Sequence, residues 1–392
     1  MFKSAKGGVV GMQDFIGTKF LDQYLIVSRV SGKGAKIPFE VFCSVVELFK
    51  KGEEVPTWLD NLFQSLGGNS TWFGRPMQDV LLLRQPIDGM QFGRASYEIT
   101  EHCNYNCGHC YLGEKHHSAL SRLDKLRIID FIAQSGCLWL QLTGGEPLFD
   151  DDFAVVYERA WGLGLLVMVS TNGSIFSPAI GRLFTTMPPY RLAVSVYGAS
   201  QSSYEALTKT PKSFSKFHTN LRRMAEMGLQ VRANIIVTRY NQDELDDMVQ
   251  MVNELGISHQ IFPYLSPKLN GESTIGVAGT VCASRKLGQH HSVAGTQCCA
   301  GKTFFHVDMK GYAYICKVER QQGINLLDQG LVGLTELSNI AELALVPELV
   351  CRTCPELGVC NTCAPILRRY KASGDIPARV CKYSIDKEVK SC

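Results

Sequence analysis

The middle of the chain alternates between two apolar periodicities. β-rich runs of strand length recur at 95–100 (ASYEIT), 137–143 (CLWLQLT), 165–170 (LLVMVS), 191–196 (RLAVSV), 231–237 (VRANIIV) and 259–265 (HQIFPYL). Helical spacing falls between them. Leu123, Leu126, Ile129 and Ile132 form one stripe ending at Gly136, and Phe153, Val156, Tyr157 and Ala160 form another after the acidic start Asp150–Asp152. Phe217, Leu221, Met224 and Met227 close at Gly228; Leu245, Met248, Met251 and Val252 close at Gly256. Six strands alternating with helices predict parallel β/α units with right-handed crossovers. A doubly wound sheet and a partial (β/α) barrel both satisfy that pattern.

The flanks differ from the middle. Residues 1–90 contain one strand-like run, 23–30, followed by helix-like stretches at 38–52 and 55–67. Beyond about residue 290 glycine, turns and cysteine replace the alternation, which leaves too little periodic apolar sequence for a separate core. Bound metal is the expected source of stability there.

Composition narrows the class. At 392 residues, 45% hydrophobic and 20% charged, the chain has ample material for a core, and a net charge of +3 points to neither nucleic acid nor an anionic membrane. The N-terminal segment MFKSAKGGVVGM lacks an apolar signal region and no run is long enough to span a bilayer, so a cytosolic chain is expected. Fifteen cysteines in such a chain point to metal ligation rather than disulfides. Three lie at 103–110 and ten between Cys282 and Cys392; the isolated Cys43 and Cys137 read as small buried hydrophobes.

The first group, CNYNCGHC, is C-x3-C-x2-C directly after the first strand of the alternating region. In parallel β/α folds that position is the functional rim. Zinc would need a fourth ligand from His102, His109 or His116. A [4Fe–4S] cluster on three thiolates would instead leave one iron open. In the tail, Cys351-x2-Cys354-x5-Cys360-x2-Cys363 would by itself suit a pair of zinc ribbons.

The motif at Cys103, Cys107 and Cys110 resembles the signature of the radical S-adenosylmethionine (SAM) enzymes. The resemblance implies a partial (β/α)6 TIM-like barrel whose open iron binds the SAM amino and carboxylate groups, with His109 near the adenine. Gly144, Gly145, Glu146 and Pro147, at the next strand end, resemble the family's GGEP motif, which holds the SAM amino group. Ser170, Asn172 and Ser195, and more remotely Arg232, match positions that serve the ribose and carboxylate. The tail resembles a SPASM extension: eleven residues separate Cys299 from Gly311, four separate Gly311 from Cys316, and seventeen separate Cys363 from Cys381. By position, one auxiliary [4Fe–4S] cluster takes Cys351, Cys354, Cys360 and Cys381. The other takes Cys299, Cys316 and Cys363, with Cys298, Cys282, Cys392 or an open site as fourth ligand. The two-residue gap between Cys360 and Cys363 departs from the family's usual three.

These resemblances imply three domains: a small α+β module at 1–90, a barrel at 91–285 and a SPASM domain at 286–392. They imply a peptide maturase in which a 5′-deoxyadenosyl radical abstracts hydrogen from a ribosomally made precursor peptide, fed by a flavodoxin- or ferredoxin-type electron donor. They leave the catalytic side chains unidentified. A winged-helix-like element in 1–90 would hold a leader peptide by strand addition, and Tyr264 with 265–271 would help line the pocket. The alternatives are the same core acting on a protein side chain or small metabolite, and a non-catalytic zinc or iron–sulfur scaffold. Three clusters predict about twelve iron atoms per chain with matching sulfide, measurable by metal and sulfide assay of anaerobically purified protein; stoichiometric zinc in their place would exclude radical chemistry.

Overall fold

The computed structural model describes residues 13–67, 71–84, 86–87, 89–113, 120–279, 298–346, 352, 354 and 363–374. In the N-terminal part, β1 (Phe15–Phe20), β2 (Gln23–Ser28) and β3 (Gly34–Ile37) are antiparallel. They are followed by α1 (Phe39–Lys51), α2 (Thr57–Ser65), the single turn α3 (Met77–Val80) and β4 (Leu81–Arg84), which pairs parallel with β1. The sheet order is β3-β2-β1-β4. Only β2 and the first two helices were legible as sequence: β3 is four residues long, and LLLR reads equally as helix or strand. Helix α1 stops at Gly52, whose left-handed backbone (φ 68°) lets its N–H close on the carbonyls of the last turn. Phe15 stacks on Phe63 at 4.0 Å, with Trp72 edge-on at 4.9 Å.

This module docks on the main sheet. Ile16, Leu25 and Val27 pack against Leu138 and Leu166, at the N-terminal ends of two barrel strands. Arg84 Nη2 donates to the carbonyls of Ala133 (3.1 Å) and Cys137 (2.7 Å), both buried bonds that tie the module to the turn before one of those strands.

The main sheet contains β5 (Arg94–Thr100), β6 (Trp139–Gly144), β7 (Leu166–Thr171), β8 (Arg191–Val196), β9 (Val231–Ile236) and β10 (Ser258–Phe262), close to the six expected runs. They are parallel and adjacent in chain order. A doubly wound sheet reverses its strand order at a switch point; this one does not, so the arc is a partial barrel. The helices are α4 (Arg122–Gln134), α5 (Phe153–Gly162), α6 (Pro178–Thr186), α7 (Gln201–Thr208), α8 (Ser213–Glu226) and α9 (Leu245–Glu254). Helices α6 and α7 are too short for a clear apolar stripe, although Ser177 and Ser200 cap them by accepting from Ile180 N–H and Ser203 N–H. The stripe on α4 is also rotated from expectation. Leu123 is 70% exposed while Ile128 and Lys125 are buried, because the Lys125 ammonium is drawn inward to Asp150 (2.7 and 2.8 Å) and Asp152 (3.1 Å).

The cysteine-rich part does not stand apart. β11 (Phe304–Val307) pairs parallel with the free edge of β5, and β12 (Tyr312–Tyr314) and β13 (Ile324–Asn325) continue the sheet antiparallel. Helices α10 (Leu326–Leu334), α11 (Leu337–Ala344) and α12 (Ala364–Ala372) follow. Phe305, Leu326, Leu334, Leu337 and Ala341 are fully buried in the same cluster as the barrel's interior. Residues 304–344 therefore draw stability from a shared core, which the search for a separate one could not reveal. Among the described residues no helix is long and apolar enough to cross a membrane.

Phe305 is 0% exposed and meets Phe92 edge-on at 4.9 Å. Phe305→Ala should cost about 3–5 kcal/mol in urea denaturation monitored by near-ultraviolet circular dichroism. A cost below about 1 kcal/mol would show the strand to be peripheral to the barrel.

Candidate active site

Cys103, Cys107 and Cys110 leave the C-terminal end of β5 and line one cavity of about 400 Å³. The unanticipated helix α7 holds their loop. Asn106 N–H donates to Thr208 O (3.0 Å) and Gly108 N–H to Leu207 O (3.1 Å), so the carbonyls at the helix end find donors in the loop. Asn104 Nδ2 donates to Ser174 Oγ at 2.8 Å, and the Tyr105 hydroxyl donates to Ser213 O at 3.3 Å.

The two glycines after β6 let a second loop cross the first. Gly145 N–H donates to Thr100 O (2.8 Å) and Glu146 N–H to His102 O (2.7 Å). A Cβ at Gly145 would lie 2.3 Å from His102 O, and one at Gly144 (φ 132°) 2.2 Å from Thr100 O. No side chain fits at either position. Both glycines line the cavity, as do Ser170, Asn172 and Ser195 at the ends of β7 and β8.

Glu146 and Pro147 do not line it. Pro147 begins a buried 3-10 turn, Pro147–Phe149. The Glu146 carboxylate, 0% exposed, accepts from Thr171 Oγ1 (2.7 Å), Asn172 N–H (2.7 Å) and Leu148 N–H (3.1 Å). Burial pushes its carboxyl up to about 7 against the pull of these three donors. Its place is behind the cavity, bracing the ends of β6 and β7. Asn172 in turn steadies the cysteine loop, donating to Asn104 Oδ1 at 3.0 Å with the same amide 3.8 Å from Cys103 Sγ. Ser170 Oγ accepts from Gln141 at 2.6 Å.

His109 lines the cavity 5.1 Å from the Tyr197 ring. Burial pushes its imidazole down to about 4, so it is neutral near pH 7, and its buried Nδ1 has no partner among the described residues. Arg232 on β9 is not part of the lining; burial, then Arg191, lowers its pKa. Tyr264 does line the cavity, with Leu265 and Ser266. Tyr111, Lys317 and Arg369 do so without having been anticipated. The available signal was adjacency: Tyr111 follows Cys110 and Lys317 follows Cys316.

The donor set suits a polynuclear group. Three soft thiols share one cavity, and among the described residues no three His, Cys, Asp or Glu side chains converge closely enough for a single metal ion. In the extension, burial raises the Cys316 and Cys363 thiols, and each is raised further by nearby thiols, Cys298 acting on both. Cys299 lies beside Cys298 and is exposed; Cys354 is half-buried. Cys351, Cys360 and Cys381, with the alternatives Cys282 and Cys392, lie outside the described residues.

Residues 97–252 match the family model of the Radical SAM superfamily. An AdoMet-dependent heme synthase of Methanosarcina barkeri is 26% identical over 183 residues, 46% of this chain and 52% of the relative. The mycofactocin maturase MftC of Mycobacterium ulcerans is 26% identical over 216 residues, 54% of this chain and 58% of the relative. The chain thus spans about half the length of the curated relatives it matches. The crystal structure of Streptococcus suis SuiB superimposes with a TM-score of 0.62 over 95% of this chain and 100% of that one, at 14% identity. Native anSMEcpe with bound AdoMet gives a TM-score of 0.54 over 74% of this chain and 96% of that one, at 13% identity. These likenesses establish the fold.

Folding carries Glu146 from the ordinary carboxylate range up to about 7, so the native chain binds its proton more readily than the unfolded chain. Its contribution is complete below the unfolded value and is lost as pH rises through about 7. Urea stability should therefore fall between about pH 5 and about pH 7.5, and Glu146→Gln should flatten that slope. An unchanged slope in the variant would place its source elsewhere.

Proposed function

We propose that this chain, whose residues 97–252 form a radical SAM domain, modifies a ribosomally made precursor peptide by hydrogen abstraction from a C–H bond. The carrying observation is that three thiols and the Gly144–Gly145 turn, which admits no side chain, meet in one cavity. The radical SAM family implies a [4Fe–4S] cluster and SAM, and the residues present fit both. Cys103, Cys107 and Cys110 would hold the cluster, with the backbone of Gly144 and Gly145 beside the SAM amino group. Ser170, Asn172 and Ser195 would serve the ribose and carboxylate, and His109, neutral with a free Nδ1, the adenine. The chemistry this pair supplies when bound is reductive cleavage of SAM to a 5′-deoxyadenosyl radical. Around it the chain's task is to orient the peptide and exclude water and competing hydrogen donors.

In this reading the extension carries two further [4Fe–4S] clusters. Cys299, Cys316 and Cys363, with Cys298, Cys282, Cys392 or an open site in the fourth position, would hold one, and Cys351, Cys354, Cys360 and Cys381 the other. A flavodoxin- or ferredoxin-type donor would supply electrons in a cytosolic setting. The peptide substrate is supported by the likeness to SuiB, also solved bound to precursor peptide SuiA, and to a maturase, MftC. It is supported too by β3, whose outer edge has no partner strand among the described residues, as strand addition requires. The module packs against the N-terminal ends of the barrel strands, and six-residue strands span about 20 Å. A leader held on β3 would then need at least about six extended residues before the modified position.

The test is anaerobic reconstitution, reduction with dithionite, and incubation with SAM and short peptides encoded beside the gene. 5′-Deoxyadenosine should form, with loss of two hydrogens from one peptide, or with deuterium uptake at unchanged mass. Cys110→Ala should abolish both signals. 5′-Deoxyadenosine formation coupled to a small metabolite, with no peptide changed, would overturn the peptide assignment, and its absence would overturn the enzyme.

A further inference from the structure

The extension brings four cations, Lys317, Arg320, Arg368 and Arg369, to one region of the fold. Two are neutralised. Arg320 grips both oxygens of Glu98 (2.6 and 3.0 Å), and Arg368 reaches Glu319 at 3.2 Å. Lys317 and Arg369 are different: both line the cavity that holds the three thiols, and neither side chain makes a hydrogen bond or close ion pair among the described residues, although Lys317 feels the charge of Glu98, and Arg369 those of Cys316 and Glu319, at longer range. They arrive on separate segments, one just past β12 and the other in the last turn of α12. Around them the lining is largely apolar and aromatic, with Tyr111, Phe262, Tyr264 and Val318.

Two half-buried cations with no close counter-ion in such surroundings favour an anion that can join them. Inside the cavity a carboxylate would form charge-assisted hydrogen bonds stronger than those available in water. A second groove shares Val318 and Arg369 with the cavity; its other cations, Lys268, Arg320 and Arg368, are each paired with a carboxylate, which leaves Arg369 as the one it offers to an anionic chain among the described residues. The strand ends proposed to hold SAM lie on other elements, at Gly144, Gly145, Ser170 and Ser195.

We propose that Lys317 and Arg369 bind a carboxylate of the substrate and select peptides carrying one at or beside the reacting residue. The inference rests on the peptide-maturase reading. The carboxylate is either an acidic side chain or the peptide's own C-terminus.

Three synthetic peptides separate the cases: acetyl-Gly-Gly-Glu-Gly-Gly-amide, its Gln counterpart, and the Gln peptide with a free C-terminal carboxylate. Titrated into the reconstituted holoenzyme with SAM, at least one carboxylate peptide should bind about tenfold or more tightly than the neutral Gln amide. Which of them does so identifies the source. In Lys317→Gln/Arg369→Gln the ratio should fall to within about twofold, while Lys317→Arg keeps it and reports an intact fold. Equal affinities in the wild type, or a ratio that survives the double variant, overturn this inference alone. A changed auxiliary-cluster electron paramagnetic resonance signal, or weakened SAM binding, with the ratio unaltered assigns the cations elsewhere and also overturns it. Binding of none of the three overturns it, and the peptide reading is then judged separately by the mass analysis.

Discussion

A single buried carboxylate ties the parts of this molecule together. Glu98 sits in β5, 0% exposed, where an isolated charge would be prohibitive. It is not isolated. Arg320 donates to both its oxygens, the Tyr111 hydroxyl donates to Oε1, and His306 Nε2 lies 3.3 Å from the same oxygen. Burial opposes ionisation, but His306 and Arg320 outweigh it and hold the carboxyl well below the usual range. His306 Nδ1 is in turn 2.7 Å from Ser96 Oγ on the same strand. The partners come from three places: the loop of Cys110, the strand β11 and the turn after Cys316. One charge thus fixes the first barrel strand, the cysteine loop and the extension against one another, and removing a partner would strand the rest in a low-dielectric interior.

The cavity is built by the same economy of crossing backbones. The loops after β5 and β6 share hydrogen bonds at a distance that only Gly144 and Gly145 allow. Behind them Glu146 collects donors from β7 and its own turn, so the strand ends that face the cavity cannot drift apart. Besides the three thiols, the polar side chains placed to meet a ligand are few among the described residues: the His109 nitrogen and the two cations from the extension. Ser170, Thr171 and Asn172 at the strand ends are already engaged with their neighbours, which is what a preorganised site requires.

Much of the barrel could be read directly, because a parallel strand buried on both faces must be continuously apolar and its covering helix must carry a stripe. The short helices α6 and α7 escaped, since eight or nine residues display barely two turns of any period. Leu123 misled the α4 reading because Lys125 turns inward to Asp150 and Asp152, and no local pattern announces an ion pair made across helices. The N-terminal strands β3 and β4 were lost to brevity and β1 to the glycine and lysine that break its apolar run, FIGTKF, and the extension's core was invisible because it belongs to the barrel.

The chain's own order of residues was enough for the six-strand arc, the three thiols at its first strand end and the glycine pair at its second. Each is a local matter of period, spacing or backbone freedom. Packing alone settled that Glu146 braces the cavity from behind, that α7 pins the cysteine loop, and that Lys317 and Arg369 reach a site whose thiols lie more than 200 residues earlier. Those outcomes depend on which desolvated groups find partners once distant segments meet, and no window along the chain contains both halves of such a contact.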